Sequence, residues 1–578
     1  MIECISRDSM DRLRVRFERL YGKERAEWCL ERAAMLAGRY GVGLEPRPTV
    51  PWWSERDAML ITYGDMVRRE GEPPLATLTR FMEKTVAGTF TMLHVLPFFP
   101  YSSDDGFAVE SYRMVNPALG TWEHIQKLGR SRRLMVDLVL NHCSRRHPWL
   151  KDYVTGIDPY RSYFIQVDPV ADLSSVVRPR TSPLLSRFHT RSGERWLWAT
   201  FGDDQIDLNF AEPDVLFEFL DILVAYIANG ARMIRLDAVA FLWKRPGTPC
   251  VHLPETHEVV KLIRDMLTMV APDVLIVTET NVPHEENISY FGQGDEAHMV
   301  YQFSMPPLVL HGLLSGSARY LAQWAAGVCS APPGCTYLNF TASHDGIGVR
   351  PLEGLVPPDA VDRLAAEVTR RGGHVSSRAV EGGPPVPYEL NTTYYDALGF
   401  ADGGGSDGLH MRRFLCSQAI PMAMKGVPAF YFNSLLAARN DTKGFETRGY
   451  PRALNRGRWR EEEIARLLVD EGSPAATACR EITRLLGIRS CHPAFHPDAG
   501  QRVLDVGEQV FGIERIAIDG SEKVMCVHNM TGETVAITAG PEMEDLLGGG
   551  RVSPDGRIEL KAYDVKWLAA PPGTRNRD

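Results

Sequence analysis

Three acidic residues stand where a barrel enzyme places its catalytic groups, at or just beyond the ends of short apolar runs. Asp237 ends one run, Glu279 directly follows the next, and Asp345 lies shortly after a later one. If these runs are parallel strands, Asp237 and Glu279 face each other across the mouth of the sheet. Two carboxyl groups about 5–5.5 Å apart suit retaining glycosyl transfer, in which one attacks the sugar and the other protonates the leaving oxygen. One acidic residue at a strand end is more often a helix cap, but three together indicate a carboxylate-based enzyme.

Metal binding is the alternative use of such carboxylates. His142, His344 and Asp137 could be ligands, yet the sequence contains no HxH or HExxH pair and no phosphate-binding GxxxxGK[ST] loop. Arg235 precedes Asp237 by two residues, and its positive charge would repel a metal cation and lower the pKa of Asp237. Glu279 would need surroundings that raise its pKa if it is to act as an acid. We therefore expect no metal site.

Eight short apolar runs supply the elements that would position these residues. Most are separated by segments with helical periodicity, which is typical of βα units around a parallel sheet. Eight such runs predict a (β/α)8 barrel, whose active site lies at the carboxyl ends of its strands. An open doubly wound sheet is the alternative, but no GxGxxG follows the first run. The runs are Met59–Tyr63, Met92–Phe98, Leu134–Leu140, Met233–Asp237, Val274–Thr278, Met299–Phe303, Thr336–Thr341 and Val427–Phe432.

The predicted barrel does not account for the whole chain of 578 residues. Residues 1–57 read as a helical N-terminal extension that ends in a proline-rich break at Glu45–Pro51, and the barrel covers 58–497. Two loop-rich insertions, 143–207 and 346–410, interrupt it after the third and seventh runs, on the face where barrel enzymes build their sites. Alternating residues predict a C-terminal antiparallel β domain over 498–572, followed by a tail at 573–578.

Composition excludes several classes of protein. The net charge is −9 without a basic tract, which is unsuited to a nucleic-acid binder. The N-terminus lacks the apolar core of a signal peptide, and no uncharged apolar run reaches 18 residues, so we expect neither membrane insertion nor export. The ten cysteines include no CxxC pair and suit a reducing compartment. We expect a cytoplasmic enzyme; its oligomeric state stays open, with a homodimer among the options.

Four segments resemble the motifs of the α-amylase superfamily, glycoside hydrolase family 13. They are DLVLNH at 137–142, RLDAV at 235–239, Glu279 and His344-Asp345. Narrower features resemble the sucrose phosphorylase-like branch of that family: LITYGD at 60–65, LPFFPYSSDDGF at 96–107, VRPR at 177–180, SHDGIGV at 343–349, NTTYYDALG at 391–399 and RALNR at 452–456. The segment WKRPGTPCVHLPETH at 243–257 favours the subgroup of glucosylglycerate phosphorylases.

The resemblance implies a role for each matching residue. Asp237 corresponds to the nucleophile, Glu279 to the general acid/base and Asp345 to the carboxylate that stabilises the transition state. Residues expected around the transferred glucose are Asp104, Phe107, His142, Arg235, His344 and Arg456. Those expected to contact phosphate are Arg180 and Tyr388. No cofactor is implied, because inorganic phosphate is a substrate; Asn141 matches a calcium position of related amylases, but this branch generally does without the ion.

The acceptor site departs from the sucrose phosphorylase pattern. Val177, Asn281 and Glu389 stand where those enzymes carry Tyr, His and Gln, which speaks against fructose as the acceptor. The resemblance instead implies reversible phosphorolysis of 2-O-α-D-glucosylglycerate to α-D-glucose 1-phosphate and D-glycerate, with retention. Sucrose or glucosylglycerol as the substrate, an α-glucoside hydrolase or transglucosidase, and an inactive carbohydrate-binding protein are the alternatives. The cation for the glycerate carboxylate stays open among three candidates: Arg180, Lys244 and His284.

Overall fold

Eight parallel strands close into a barrel, as the sequence predicts. The structure is a computed structural model that describes residues 7–39, 52–328, 330–378, 383–400, 406–540 and 542–570. Around the barrel the strand order is β1-β16-β12-β11-β10-β9-β4-β3, and β3 returns to β1. Almost every residue in these strands is buried, because helices cover the barrel outside and packed side chains fill it inside.

Twenty-four strands occur in the described part of the chain. In chain order they are β1 (Met59–Thr62), β2 (Val67–Arg68), β3 (Met92–Val95), β4 (Arg133–Leu138), β5 (His142–Ser144), β6 (Leu185–Thr190), β7 (Gly193–Trp198), β8 (Gln205–Asp207), β9 (Ala231–Leu236), β10 (Leu275–Thr278), β11 (Met299–Tyr301), β12 (Thr336–Phe340), β13 (Ile347–Gly348), β14 (His374–Arg378), β15 (Val386–Asn391), β16 (Val427–Tyr431), β17 (Trp459–Arg460), β18 (Gly500–Val503), β19 (Val510–Ile516), β20 (Lys523–Asn529), β21 (Val535–Thr538), β22 (Glu544–Asp545), β23 (Arg557–Leu560) and β24 (Val565–Ala569).

Seventeen α-helices occur in the same described ranges. They are α1 (Arg7–Tyr21), α2 (Lys23–Arg39), α3 (Pro74–Lys84), α4 (Trp122–Gly129), α5 (Pro148–Thr155), α6 (Pro213–Ala228), α7 (Pro254–Val270), α8 (His284–Ile288), α9 (Met305–Ser315), α10 (Arg319–Gly327), α11 (Pro358–Arg370), α12 (Tyr394–Ala397), α13 (Asp407–Ala423), α14 (Phe432–Leu435), α15 (Thr442–Arg448), α16 (Glu461–Val469) and α17 (Pro474–Arg489). None of them is both long enough and apolar enough to cross a membrane.

The two insertions contain more regular structure than their loop-rich sequences suggest. The first includes helix α5 and two antiparallel strand pairs, β5 with β8 and β6 with β7. The second forms a three-stranded antiparallel sheet in the order β13-β15-β14, together with helix α11. Their strands are short and partly exposed, so no continuous apolar run marks them in the sequence. Both insertions emerge at the carboxyl ends of barrel strands.

The N-terminal helices pack against the barrel of their own chain. Arg16 of α1 bonds two carboxylates of α7, with Nη1 2.9 Å from Glu258 Oε1 and Nε 3.1 Å from Asp265 Oδ2. Phe17 stacks on Phe217 of α6 with ring centroids 5.8 Å apart. The extension therefore covers the outside of the barrel beside α6 and α7, a placement that the sequence does not specify.

The C-terminal region forms antiparallel sheet, as predicted. Five strands pair in the order β18-β19-β20-β24-β22, and β21 pairs separately with β23. The buried positions along β23 alternate with exposed ones, which is the pattern of a sheet with one covered face. The predicted proline-rich break at 45–51, the glycine run at 403–405 and the tail at 573–578 lie outside the described residues.

Candidate active site

A pocket at the carboxyl end of the barrel brings together most of the residues singled out in the sequence. Asp237 follows β9, Glu279 follows β10 and Asp345 follows β12, so the fold places all three at one mouth. Ten of the predicted residues line the pocket: Asp104, Phe107, His142, Arg180, Asp237, Glu279, Asn281, His344, Asp345 and Tyr388. Two predicted residues, Arg235 and Arg456, are buried behind this lining, and Glu389 lines an adjoining outer cavity that shares Asp104, Arg180 and Arg452 with the pocket.

Arg235 lies beneath the two carboxylates that the barrel brings together. Its Nη1 is 3.0 Å from Asp237 Oδ1, and its Nη2 is 3.8 Å from Glu279 Oε1. Nη1 also pairs with Asp137, which in turn contacts His94 Nε2 at 2.7 Å. The guanidinium is only 3% exposed, so its charge acts through protein rather than water. It supplies a fixed positive charge between the acidic groups.

The pKa of Asp237 departs from the sequence-based expectation. Burial raises the pKa of Asp237 well above its usual range and outweighs the attraction of Arg235, which was expected to lower it. Burial also raises the pKa of Glu279, as expected for an acid. The reversal at Asp237 has a physical cause, because removing a carboxylate from water costs more than one neighbouring cation returns. Glu279 also raises the pKa of Asp237 by charge repulsion, so the two carboxyl groups titrate as a coupled pair.

The chain turns sharply after Asp237. Ala238 has a φ of 50°, a left-handed conformation that is uncommon for a residue with a side chain. The turn directs the Ala238 N–H to Glu279 Oε2, at a distance of 3.0 Å. Strained backbone of this kind concentrates at functional sites, where the surrounding structure holds it in place. Here it links the two carboxylate-bearing strand ends directly.

Aromatic rings form another part of the pocket lining. Phe107 and His344 stack with centroids 4.8 Å apart and ring planes within 5°. His142 Nε2 lies 3.0 Å from the carbonyl oxygen of Phe107. Burial lowers the pKa of His142 and lowers that of His344 well below its usual range, so both imidazoles are neutral at pH 7. A flat apolar face edged by neutral polar groups suits a sugar ring.

Arg456 is fully buried and supports the pocket from behind. Its Nη1 lies 3.0 Å from Asp104 Oδ1, and its Nε donates to the carbonyl oxygen of His344 at 2.9 Å. Its Nη2 is 3.5 Å from Asp345 Oδ1. Arg456 therefore fixes Asp104, His344 and Asp345 relative to one another without lining the pocket itself.

The two insertions meet at the outer part of the pocket. Arg180 comes from the first insertion and Tyr388 from the second, and the guanidinium carbon of Arg180 lies 5.5 Å from the Tyr388 ring centroid. The same guanidinium lies 5.9 Å from the ring of Phe201. No carboxylate in the described ranges lies within salt-bridge distance of Arg180, and its one hydrogen bond is a 3.4 Å contact with the carbonyl oxygen of Pro179. Arg180 therefore presents an uncompensated positive charge to the pocket.

Comparison with known proteins places the chain in a family. Residues 88–322 match the α-amylase catalytic domain. A glucosylglycerate phosphorylase from Allomeiothermus silvanus is 47% identical over 518 residues, covering 89% of this chain and 91% of the relative. The chain belongs to glycoside hydrolase family 13, in its sucrose phosphorylase-like branch. A glucosylglycerate phosphorylase from Escherichia coli is 44% identical over 81% of this chain and 84% of its own length.

Solved structures agree on the fold of this family 13 chain. The crystal structure of sucrose 6F-phosphate phosphorylase from Thermoanaerobacter thermosaccharolyticum superposes with a TM-score of 0.72 and 23% sequence identity. The superposition covers 88% of this chain and 98% of the other. At that identity the likeness concerns the architecture alone.

Arg452 lines the pocket of this family 13 chain although sequence reasoning did not select it. Its Nη1 lies 2.6 Å from Asp345 Oδ1, and its Nε lies 3.0 Å from Glu389 Oε1. Burial alone would raise the pKa of Asp345, but Arg452, His344 and Arg456 together hold it below its usual range. The signal was present in the sequence, since Arg452 begins the same RALNR segment that ends at Arg456.

Two of the three candidate cations for a glycerate carboxylate lie elsewhere. The Lys244 ammonium is buried, with Nζ 2.5 Å from both Asp207 Oδ2 and Asn141 Oδ1. His284 faces the ring of Trp324 at 6.2 Å. Neither Lys244 nor His284 lines the pocket, whereas Arg180 does. Among the described residues, no three His, Cys, Asp or Glu side chains cluster as a metal site would require.

Proposed function

We propose that this enzyme is a retaining glucosyl phosphorylase that converts 2-O-α-D-glucosylglycerate and phosphate to α-D-glucose 1-phosphate and D-glycerate. One observation carries the chemistry: a carboxylate pair held over Arg235 opens towards Arg180, a cation with no carboxylate partner in the described ranges. The pair suits double displacement at the sugar, and Arg180 suits an anionic second substrate. The relatives support the choice of acceptor, since three glucosylglycerate phosphorylases are 43–47% identical, against 27–30% for sucrose and glucosylglycerol phosphorylases.

In the first half-reaction Asp237 attacks the anomeric carbon and Glu279 protonates the departing oxygen. This step requires the proton on Glu279 although burial raises the pKa of both carboxyl groups. Arg235 lies nearer Asp237, at 3.0 Å against 3.8 Å, and is the contact that opposes protonation of the nucleophile. The bond to the glycerate oxygen breaks, a glucosyl ester forms on Asp237, and D-glycerate leaves. Asp345, kept ionised by Arg452, stabilises the positive charge that develops on the ring.

In the second half-reaction phosphate replaces glycerate in the outer pocket. A phosphate oxygen attacks the glucosyl ester, Glu279 accepts the proton of that oxygen, and the Asp237 carboxylate is regenerated. Two inversions at the anomeric carbon restore its original configuration. Tyr388 and Phe201 flank Arg180, which lines the pocket and has no carboxylate partner among the described residues, so its guanidinium is available to an anion.

Arg180 is also the cation best placed for the glycerate carboxylate. Lys244 is occupied by Asp207 and Asn141, and Arg452 is occupied by Asp345 and Glu389. The glycerate carboxylate and phosphate would then bind Arg180 one after the other, because in a double displacement glycerate leaves before phosphate enters. Asn281 lines the pocket and has a buried Oδ1 without a hydrogen-bond partner, which suits a contact to an acceptor hydroxyl group.

The test is a phosphorolysis screen over glucosylglycerate, sucrose and glucosylglycerol, with glucose 1-phosphate as the readout. Glucosylglycerate is expected to give the highest kcat/KM, and release of free glucose is expected to be minor when phosphate is present. Glucose release that does not depend on phosphate would identify a hydrolase instead. A higher kcat/KM for sucrose or glucosylglycerol would assign a different acceptor to the same mechanism.

The stereochemistry of the product provides a second test. Double displacement predicts that the glucose 1-phosphate formed first is the α anomer, because each of the two steps inverts the anomeric carbon. Proton NMR during the first minutes of reaction distinguishes the anomers by their anomeric coupling constants. An initial β anomer would require a single displacement and would contradict the nucleophilic role of Asp237.

Arg180→Ala is expected to impair the use of both anions that Arg180 is proposed to bind, the glycerate carboxylate and phosphate. With α-D-glucosyl fluoride as the donor, which lacks the carboxylate, the effect should be confined to the phosphate step. Loss of one charge-assisted contact costs about 1.5–3 kcal/mol, roughly a ten- to hundredfold increase in the KM for phosphate. Water should still resolve the glucosyl-enzyme, so free glucose is expected to rise as a share of products. Arg178→Ala, in the same VRPR segment but outside the pocket lining, is the matched control and should behave as wild type. Unchanged phosphate saturation in Arg180→Ala would show that the phosphate site lies elsewhere.

We further propose that the enzyme works without a metal or other cofactor, in the cytoplasm. Asn141 Oδ1, at the position that resembles a calcium ligand of related amylases, already accepts a hydrogen bond from the Lys244 ammonium. That ammonium supplies the positive charge a cation would otherwise bring. The cytoplasmic location is supported by the eight cysteines of the described ranges, all of which are free thiols.

A further inference from the structure

Glu389 does not line the sugar pocket itself, but together with Arg180 and Arg452 it lines an adjoining outer cavity. Its carboxylate oxygens are bonded to protein groups of the site. It is 3% exposed and lies in β15, the central strand of the sheet in the second insertion. Glu389 pairs with Gly348 of β13 on one side and with Ser376 of β14 on the other, next to a register shift between Ser376 and Ser377. Irregularities of this kind re-aim side chains near active sites.

Glu389 is connected to Asp345 by two separate routes. Its Oε1 accepts a hydrogen bond from the backbone N–H of Gly346, the residue after Asp345, at 2.5 Å. It also holds Arg452, with Nε 3.0 Å from Oε1 and Nη2 3.3 Å from Oε2, while Nη1 of the same guanidinium lies 2.6 Å from Asp345 Oδ1. The contact with Glu389 has hydrogen-bond geometry, whereas that with Asp345 is an ion pair without it. Glu389 therefore fixes the place of the guanidinium charge beside Asp345, and the fork of an arginine can reach both carboxylates at once.

The segment that carries Arg452 is itself tied to the same loop. Asn455 Nδ2 donates to the carbonyl oxygens of Ser343 and Asp345, at 2.7 Å and 3.1 Å. The loop from Ser343 to Gly346 is thus held along its backbone as well as through the Asp345 side chain. In the part of the chain that the structure describes, Arg452 is the residue that contacts both the Glu389 and the Asp345 carboxylates.

We propose that Glu389 is a positioning residue that orients Asp345 through Arg452, rather than a contact for the acceptor. This inference rests on the proposed role of Asp345 in stabilising the transition state. Removing Glu389 would free the Arg452 fork and the Gly346 amide together, so neither the positive charge beside Asp345 nor the loop that carries Asp345 would be held in place by Glu389. Misplacement of a stabilising group by about 1 Å can cost a hundredfold in rate.

The test uses α-D-glucosyl fluoride, because its fluoride leaving group makes none of the contacts of glycerate. Single-turnover fluoride release reports formation of the glucosyl-enzyme. Glu389→Ala is expected to slow it about ten- to hundredfold with little change in half-saturating donor concentration. Glu389→Gln should retain most of the rate, because its amide oxygen can accept from both Gly346 and Arg452. Wild-type fluoride release in both variants, with a raised KM for glycerate in synthesis, would overturn the proposal.

A double-mutant cycle separates positioning from a general loss of structure. If Glu389 acts through Arg452, then Glu389→Ala should cost at most about a few-fold further in an Arg452→Met background. If the rate losses of the two single variants instead multiply in the double variant, Glu389 does not act through Arg452. Glu353→Gln is the matched control, since Glu353 belongs to the same insertion and pairs with Arg378 at 2.8 Å away from the pocket. If Glu389→Ala fails to fold, Glu389→Gln and Arg452→Met still test the proposal. A positioning role lowers the rate of fluoride release, whereas an acceptor contact raises the KM for glycerate.

These outcomes are independent of the proposed acceptor. Fluoride release requires only a retaining α-glucosyl enzyme, so it would proceed even if glucosylglycerate were not the natural substrate. Failure of the substrate screen together with slow fluoride release in Glu389→Ala would leave the positioning role intact and reject only the acceptor.

Discussion

Asp237→Asn is expected to lower phosphorolysis by about 10⁴- to 10⁶-fold, the scale of loss when a covalent nucleophile is removed. The amide cannot form the glucosyl ester, and it no longer neutralises Arg235, whose Nη1 lies 3.0 Å from Asp237 Oδ1. The loss should be equally severe with glucosylglycerate and with α-D-glucosyl fluoride, because both require the same attack. Single-turnover rates of product release measure the effect, and thermal unfolding verifies that the variant is folded.

A rescue experiment makes this prediction specific. Asp237→Gly opens space on the face from which the carboxylate attacks, so added azide is expected to react there with glucosyl fluoride and give β-glucosyl azide. Turnover of Asp237→Asn near the wild-type rate would reject the mechanism outright. Rescue that yields only the α-azide would place the nucleophile on another residue.

Glu279→Gln is expected to slow cleavage of glucosylglycerate by about 10²- to 10⁴-fold, the usual contribution of general acid catalysis. Fluoride needs no proton to depart, so fluoride release in the first turnover should be nearly preserved. This contrast between donors separates Glu279 from Asp237, whose replacement disables both. Equal losses with both donors would mean that Glu279 acts on the sugar rather than on the leaving group.

The pH dependence gives an independent view of the same residue. Burial raises the pKa of Glu279, so its acid form persists to higher pH than that of an exposed glutamic acid. Cleavage of glucosylglycerate requires this protonated form and should therefore decline on the alkaline side as Glu279 loses its proton. The alkaline decline is expected to be absent from fluoride release by Glu279→Gln.

The barrel could be predicted from the sequence because its strands are buried on both sides and are therefore written as uninterrupted apolar runs. All eight runs match barrel strands, and the carboxylates at their ends converge because parallel strands share one carboxyl edge. The insertions were underestimated because their short strands, such as β6 and β14, are partly exposed and carry no such signal.

The finer features of the site depend on contacts between distant parts of the chain. Arg452 gains its importance from Asp345 and Glu389, which lie more than sixty positions away in the sequence. Lys244 has the charge to bind glycerate, yet the fold buries it against Asp207. The direction of the Asp237 pKa shift reverses because burial, which is a property of the assembled barrel, outweighs the neighbouring arginine.

The two insertions meet above the barrel, and the two halves of the proposed reaction therefore depend on different parts of the chain. The groups proposed to break the glucosidic bond come from barrel strand ends, whereas Arg180 and Tyr388 come from segments inserted after β4 and β12. A family of enzymes can therefore exchange one incoming nucleophile for another by altering the two insertions, provided that Glu389, which is proposed to position Asp345, is kept. For the engineer, the same division means that libraries in the two insertions that leave Glu389 unchanged can explore new acceptors without altering the barrel residues that bind the sugar.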